Sequence, residues 1–213
     1  AAMTVPTIPV AISLRSDCSV ISSARDTRRV ACIGRRGRDG VGARRGGVED
    51  HRGGAGIEVD LDGAHVLLLE RFDREGHDRI GYMSAMTALE RRDGEGGDYE
   101  EVADALSTLS GRSTADAREL YRRVALSVGL NNTDDHLRNH GFLRRGAAWE
   151  LSPAFDINPN PDDVARQTAI VGTDTRDDAA HGLALLAEAC RLTVEDAQQI
   201  RDEIARALGA WRT

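Results

Sequence analysis

The stretch STADARELYRRVALSVGL, from Ser113 to Leu130, constrains the fold more than any other. Leu120, Val124 and Val128 recur at i, i+4 and i+8, which lines one face of a helix with apolar side chains. Ser113 and Asp116 have the spacing of a capping box, which predicts where the helix begins. Such a helix must bury its stripe against other elements. The chain then leaves it abruptly, through NNTDDHLRNHGFLRRG. HGFL and AWELS flank the turn RRGA and read as a β-hairpin. A polar loop is thus held between a long helix and a hairpin, a rigid setting for chemistry.

Other elements follow from the same patterns. AHVLLLERF (Ala64–Phe72) reads as a buried strand with a polar exit. MSAMTALERR and YEEVADALSTLS read as helices. Two more helices are expected around HGLALLAEACR and TVEDAQQIRDEIARALGAW. The last carries a Thr193/Asp196 cap and a stripe at Ala197, Ile200, Ile204 and Leu208.

Residues 34–56 differ in texture. Nine of these 23 residues are glycine and six are arginine, with no apolar periodicity. Ordering that much glycine costs more entropy than the segment can offset, so poor order is expected. GVGARRG does not match the G-x-G-x-x-G phosphate loop, and no helix pattern follows it. The chain is therefore read as two regions, 1–56 and 57–213.

Composition narrows the function. A net charge of -7, a pI near 5.4 and 4% aromatics argue against direct nucleic-acid binding. Three scattered cysteines imply no disulfide framework and fit a reducing cytoplasm. No apolar run approaches the roughly 18 residues of a membrane span. All 28 basic residues are arginine, so no chemistry within this chain uses a lysine ammonium.

Asp134 and Asn139 are five residues apart, the separation of Asp and Asn in the protein-kinase catalytic loop H-R-D-L-x-x-x-N. There the Asp takes or orients the substrate hydroxyl proton and the Asn oxygen binds a metal on the phosphates. A second metal-binding acid is expected after the hairpin, and LSPAFDINP supplies Asp156. Magnesium suits an amide oxygen, a carboxylate, waters and phosphate. Taken singly, each residue has another reading. Asp134 is also a helix cap, Asn139 a turn residue, and Asp156 an Asx-turn before NPNP. His136 and His140 have i, i+4 zinc spacing but lack the glutamate of H-E-x-x-H, so they fit loop scaffolding better. Metal-dependent phosphoester hydrolysis by Asp134, Asp135, His136 and His140 explains the loop but leaves Asp156 without a role.

NNTDDHLRNHGFL, WELSPAFDINP and VLLLERFDREGHDRIGYMSAMTALE, in this order-specific set, resemble HipA-type serine/threonine kinases, the toxin half of bacterial HipA/HipB toxin–antitoxin systems. The resemblance runs from about Ala55 to the C-terminus. It implies an α+β, protein-kinase-like fold: a mostly helical C-terminal lobe, a small hairpin and a remnant N-lobe strand. It implies ATP and Mg2+ as cofactors, Asp134 as catalytic base with His136 in the same motif, and Asn139 and Asp156 as metal ligands. Glu70, Arg71 and Phe72 would form the hinge, where backbone groups bond adenine. A protein Ser/Thr hydroxyl is the implied substrate and a HipB-like helix-turn-helix antitoxin the implied partner. The family's phosphate loop and phosphate-contacting lysine have no counterpart here. Residues 31–54 read as though out of frame, which leads us to expect an N-terminally truncated kinase of impaired activity. The alternative is an inactive remnant that binds an antitoxin or another protein.

Overall fold

Asp116 does not cap the helix that its spacing with Ser113 suggests; it is turned inward and buried. Its Oδ2 accepts from Ser110 Oγ at 2.7 Å and from the Leu151 backbone N–H at 2.9 Å. Arg112 reaches Oδ1 at 3.2 Å. Arg112 itself occupies the N-cap position and makes no side-chain cap bond. Satisfying a buried backbone donor at the hairpin outweighs capping an exposed helix end.

This arrangement comes from a computed structural model that describes residues 71–75 and 77–211. It also gives the backbone strands β1 (Ser19–Ser22), β2 (Val30–Ile33), β3 (Ile57–Leu61) and β4 (Ala64–Leu68). The Gly/Arg-rich segment 34–56 lies outside the described residues. The chain divides into two units, Pro9–Gly81 and a larger one containing Tyr82–Thr213.

In the first unit, β1 pairs antiparallel with β2, and β3 with β4. β3 and β4 close tightly, with Leu61 opposite Ala64. Of the strand expected over Ala64–Phe72, Ala64–Leu68 forms; Phe72 lies in the turn that leads to β5 (Arg74–Glu75). β5 pairs with β6 (Asp78–Arg79).

The second unit begins with β7 (Tyr82–Ser84) and α1 (Ala85–Ala88). Ser84 caps α1 through the Thr87 N–H, but the helix runs only four residues, far short of the span MSAMTALERR suggested. Glu90 enters the left-handed region at φ 55, and the glycine-rich DGEGG follows. β8 (Gly97–Asp98) leads into α2 (Tyr99–Leu109), which Asp98 and Glu101 start with a complete capping box.

Helix α3 spans Ser113–Leu130 as its stripe predicts; Leu120 and Val124 are fully buried and Val128 packs against them. It ends at Asn131, left-handed at φ 53, whose N–H bonds Ser127 O and Val128 O. A 3-10 turn (Leu137–Asn139) then precedes the hairpin of β9 (Gly141–Arg145) and β10 (Ala148–Leu151). β9 is the centre of an antiparallel sheet ordered β10-β9-β7. The turn bends at Gly146, φ 59, where a side chain would be strained.

After a long loop, β11 (Thr168–Ala169) pairs parallel with β8. Helices α4 (Ala179–Ala189) and α5 (Val194–Trp211) complete the unit. Thr193 Oγ1 accepts from Asp196 N–H at 3.1 Å, so the expected cap on α5 forms. Ala197, Ile200 and Leu208 are buried on its inner face and Ile204 packs beside them. α5 crosses α3 so closely that a Cβ on Gly129 would lie 2.4 Å from Leu208 Cδ1. The core is drawn from every layer: Leu106 from α2, Leu120 and Tyr121 from α3, Phe142 from β9, Leu186 from α4, Ile200 from α5.

Candidate active site

The loop between α3 and β9 separates two adjacent acids. Asp134 is exposed, and Asp135 beside it is buried. Asp135 Oδ2 accepts from Tyr99 Oη at 2.6 Å and Ser127 Oγ at 3.0 Å, while Oδ1 lies 2.9 Å from His140 Nε2. Burial pushes the Asp135 carboxyl up, but the His140 ring and the Tyr99 and Ser127 hydroxyls outweigh it and hold the group below its ordinary range. The same burial, reinforced by the Asp135 charge, pushes the Tyr99 phenol well above its usual value. Tyr99 also meets the His140 ring edge-on, with centroids 5.3 Å apart. The middle of the loop, at Asp135, is therefore pinned to α2 and α3.

A strap from the loop after β10 holds the other side. Asn131 Nδ2 donates to Asn160 O and Asp162 O, both at 2.9 Å. Asn160 Nδ2 donates to Thr133 Oγ1 at 2.5 Å, and Arg166 Nη1 to Asn132 O at 3.1 Å. Gln167 donates its backbone N–H to Thr133 O at 3.0 Å and its side-chain amide to Asp134 Oδ1 at 2.5 Å.

Asn139 is buried at the end of the 3-10 turn, where its N–H bonds His136 O at 2.8 Å. Its Nδ2 makes only a long 3.5 Å contact with Asp134 O. His136, half-buried, keeps Nδ1 enclosed without a protein partner. Leu137 fills the space over Gly97 so fully that a Cβ there would lie 2.4 Å from Leu137 Cδ1.

Asp156 follows the hairpin at φ 56 and is exposed. Its neighbours Phe155 and Ile157 are half-buried, and the carboxylate itself stays in water. Asn158 Nδ2 donates to its Oδ1 at 2.9 Å. Asn139, Phe155 and Ile157 line one narrow crevice, floored by Arg123, Asp135 and His140. The structure thus brings Asn139 to the residues on both sides of Asp156. Arg123 is buried there; burial lowers its affinity for a proton, and Glu119, bonded at 3.0 Å, opposes that shift.

Among the described residues, no three His, Cys, Asp or Glu side chains gather as a metal cage. His140 and Asp135, two of the four groups a hydrolytic cluster would need, are spent on each other. In the other unit, Arg71 Nε donates to Asp73 Oδ1 at 2.5 Å and Arg74 Nη1 to Oδ2 at 2.9 Å. Burial raises the Asp73 carboxyl, and the Arg71 hydrogen bond and the charges of Arg71 and Arg74 bring it below its ordinary value. Phe72 lies in the same turn, and Glu70 lies outside the described residues.

Residues 55–211 match the HipA-like C-terminal domain. The chain belongs to that family.

Part of this HipA-like chain is also similar to a Haemophilus influenzae protein named "Putative kinase", 27% identical over 109 residues, covering 49% of this chain and 27% of the relative. The fold matches a solved Shewanella oneidensis toxin–antitoxin complex of HipA, HipB and operator DNA. The TM-score is 0.62 at 18% identity, over 74% of this chain and 44% of that one. The matches thus cover only 27% of the first protein and 44% of the second, well short of their full lengths. The α+β, kinase-like HipA C-terminal fold expected from the motifs is the fold observed. No described helix is long and apolar enough to cross a membrane. Two residues at the candidate site have roles that the motifs do not give: Asp135, named above only in a hydrolytic cluster, is a buried anchor, and Gln167 bonds Asp134. The acid pair was visible, but which acid turns inward depends on the Tyr99 hydroxyl, remote in sequence.

Proposed function

We propose that this HipA-like domain carries out magnesium–ATP-dependent phosphoryl transfer to a serine or threonine hydroxyl of a protein, with Asp134 as catalytic base. One observation carries the reading: of two consecutive acids, one is locked inside by three partners and the other is presented outward and oriented. A base must be fixed in place and still reach its substrate. His136 supports the loop next to it.

The donor set fits magnesium. Asn139 offers an amide oxygen and Asp156 a carboxylate, hard ligands of the kind Mg2+ takes alongside water and phosphate. When bound, the ion would neutralise charge on the transferring phosphate. Within this chain the remaining phosphate contacts fall to arginine, whose planar fork places charge differently from a lysine, so slow turnover is expected. Backbone groups at Glu70, Arg71 and Phe72 form the adenine-binding hinge in this reading. The substrate is a protein acting in the cytoplasm, and a HipB-like antitoxin is the partner.

The second reading is a binding remnant that keeps the fold and contacts an antitoxin; the lysine-free sequence favours it. The two separate by phosphate transfer from labelled ATP to a degenerate peptide library with one central serine or threonine. Asp134→Ala should lower transfer about a hundredfold or more, the range for loss of a general base. Transfer that survives the substitution sinks the base assignment.

A further inference from the structure

We infer that Gln167 is a positioning residue that aims the Asp134 carboxylate, an inference that rests on the kinase reading above. An ionised carboxylate only accepts hydrogen bonds, so the amide must present its N–H2 to Asp134 Oδ1, 2.5 Å away. That bond occupies one oxygen and leaves Oδ2 to face an incoming hydroxyl. Among the described residues no other hydrogen bond reaches the Asp134 side chain, although its backbone O is approached by Asn139 Nδ2.

Gln167 is itself held in place. Its N–H bonds Thr133 O at 3.0 Å, on the residue before Asp134. The residue before it, Arg166, is buried and ties its N–H to Asp174 O at 2.9 Å and its guanidinium to Asn132 O at 3.1 Å. The residue after it, Thr168, is buried in β11 and paired with Gly97 of β8. Asp98 then accepts the Val171 and Gly172 N–H groups at 2.9 and 2.7 Å, which fixes the far end of β11. An exposed glutamine on a free loop would lose side-chain freedom by bonding one carboxylate. Here the backbone on both sides is already ordered, so only the side-chain torsions remain to be set. The segment that leads away from the metal carboxylate Asp156 thereby returns to the base, and orienting the base depends on the same loop that carries Asp156.

The test uses the full chain, labelled ATP and the Ser/Thr peptide library, with Gln167→Met and Gln167→Glu beside wild type and Asp134→Ala. Gln167→Met keeps length and removes the donor. It should lower kcat about tenfold, the size of one lost hydrogen bond to a charged group. KM for ATP should stay within twofold and the melting temperature should not move, because Gln167 is exposed. Gln167→Glu, which sets a second carboxylate against the base, should lower kcat further. Wild-type kcat in Gln167→Met, with Asp134→Ala inactive, overturns the inference and leaves the kinase reading standing. A kcat loss accompanied by a lower melting temperature marks a structural role and overturns it too. Transfer unaffected by Asp134→Ala, or no transfer by wild type, overturns the kinase reading and the inference with it.

Discussion

Tyr99→Phe tests the buried anchor with the smallest chemical change. The substitution deletes one oxygen and keeps the ring, which is 2% exposed and stacked edge-on against His140. What is lost is the 2.6 Å bond to Asp135 Oδ2. A hydrogen bond to a charged group contributes about 1.5–3 kcal/mol. Ser127 Oγ still donates to the same oxygen at 3.0 Å, so Asp135 is not left bare. The cost should therefore fall near the lower end, about 2 kcal/mol. For a domain of this size that is a melting-temperature drop of roughly 4–8 °C. Urea denaturation followed by circular dichroism measures it, with the slope compared to wild type to check two-state behaviour. Asp135→Asn should cost more, because Tyr99, Ser127 and His140 all face the altered group. The two changes should be non-additive in a double-mutant cycle, since they remove the same bond. A Tyr99→Phe cost under about 0.5 kcal/mol, or full additivity, would refute the anchor.

Two further outcomes follow from the same burial. Asp135 is held below its ordinary 3.8, so its stabilisation is complete above that pH and should be lost as pH falls through the depressed value. Tyr99 is raised above 10.0, so its share is complete below pH 10 and should be lost as pH rises towards the folded-state value; urea midpoints across pH should show the alkaline loss in wild type and not in Tyr99→Phe. Burial pushes the Cys190 thiol up to about 12, so in a Cys18→Ser, Cys32→Ser background it should resist a thiol reagent at pH 8 until denaturant is added, and rapid labelling of the native chain would contradict its burial.

The order helix, loop, hairpin, second acid was legible because each piece has a local signal. The α3 stripe, the RRGA turn with Gly146 and the Thr193 cap all act within a few residues. Where reading failed, the deciding partner was distant. Asp116 has helix-cap spacing with Ser113, yet the Leu151 N–H claims its side chain from 35 residues away. Asp134 and Asp135 look equivalent in the sequence; Tyr99, 36 residues earlier, decides which is buried. Gln167 carries no motif at all and reaches Asp134 across 33 residues. The exposure of Asp156 is not legible between its apolar neighbours Phe155 and Ile157; it stands exposed on a left-handed backbone between two half-buried residues. The short α1 shows the opposite failure: its apolar residues suited a helix, but the chain leaves it at Leu89 and turns left-handed at Glu90.

Calorimetric titration of magnesium–ATP into the full chain tests the central claim most directly, that Asn139 and Asp156 hold the metal beside the base. Weak, magnesium-dependent binding is predicted for wild type, with at least a tenfold loss of affinity in Asp156→Asn and in Asn139→Ala, about 1.4 kcal/mol each. Binding that is unchanged by both substitutions, or equally strong without magnesium, would contradict the account.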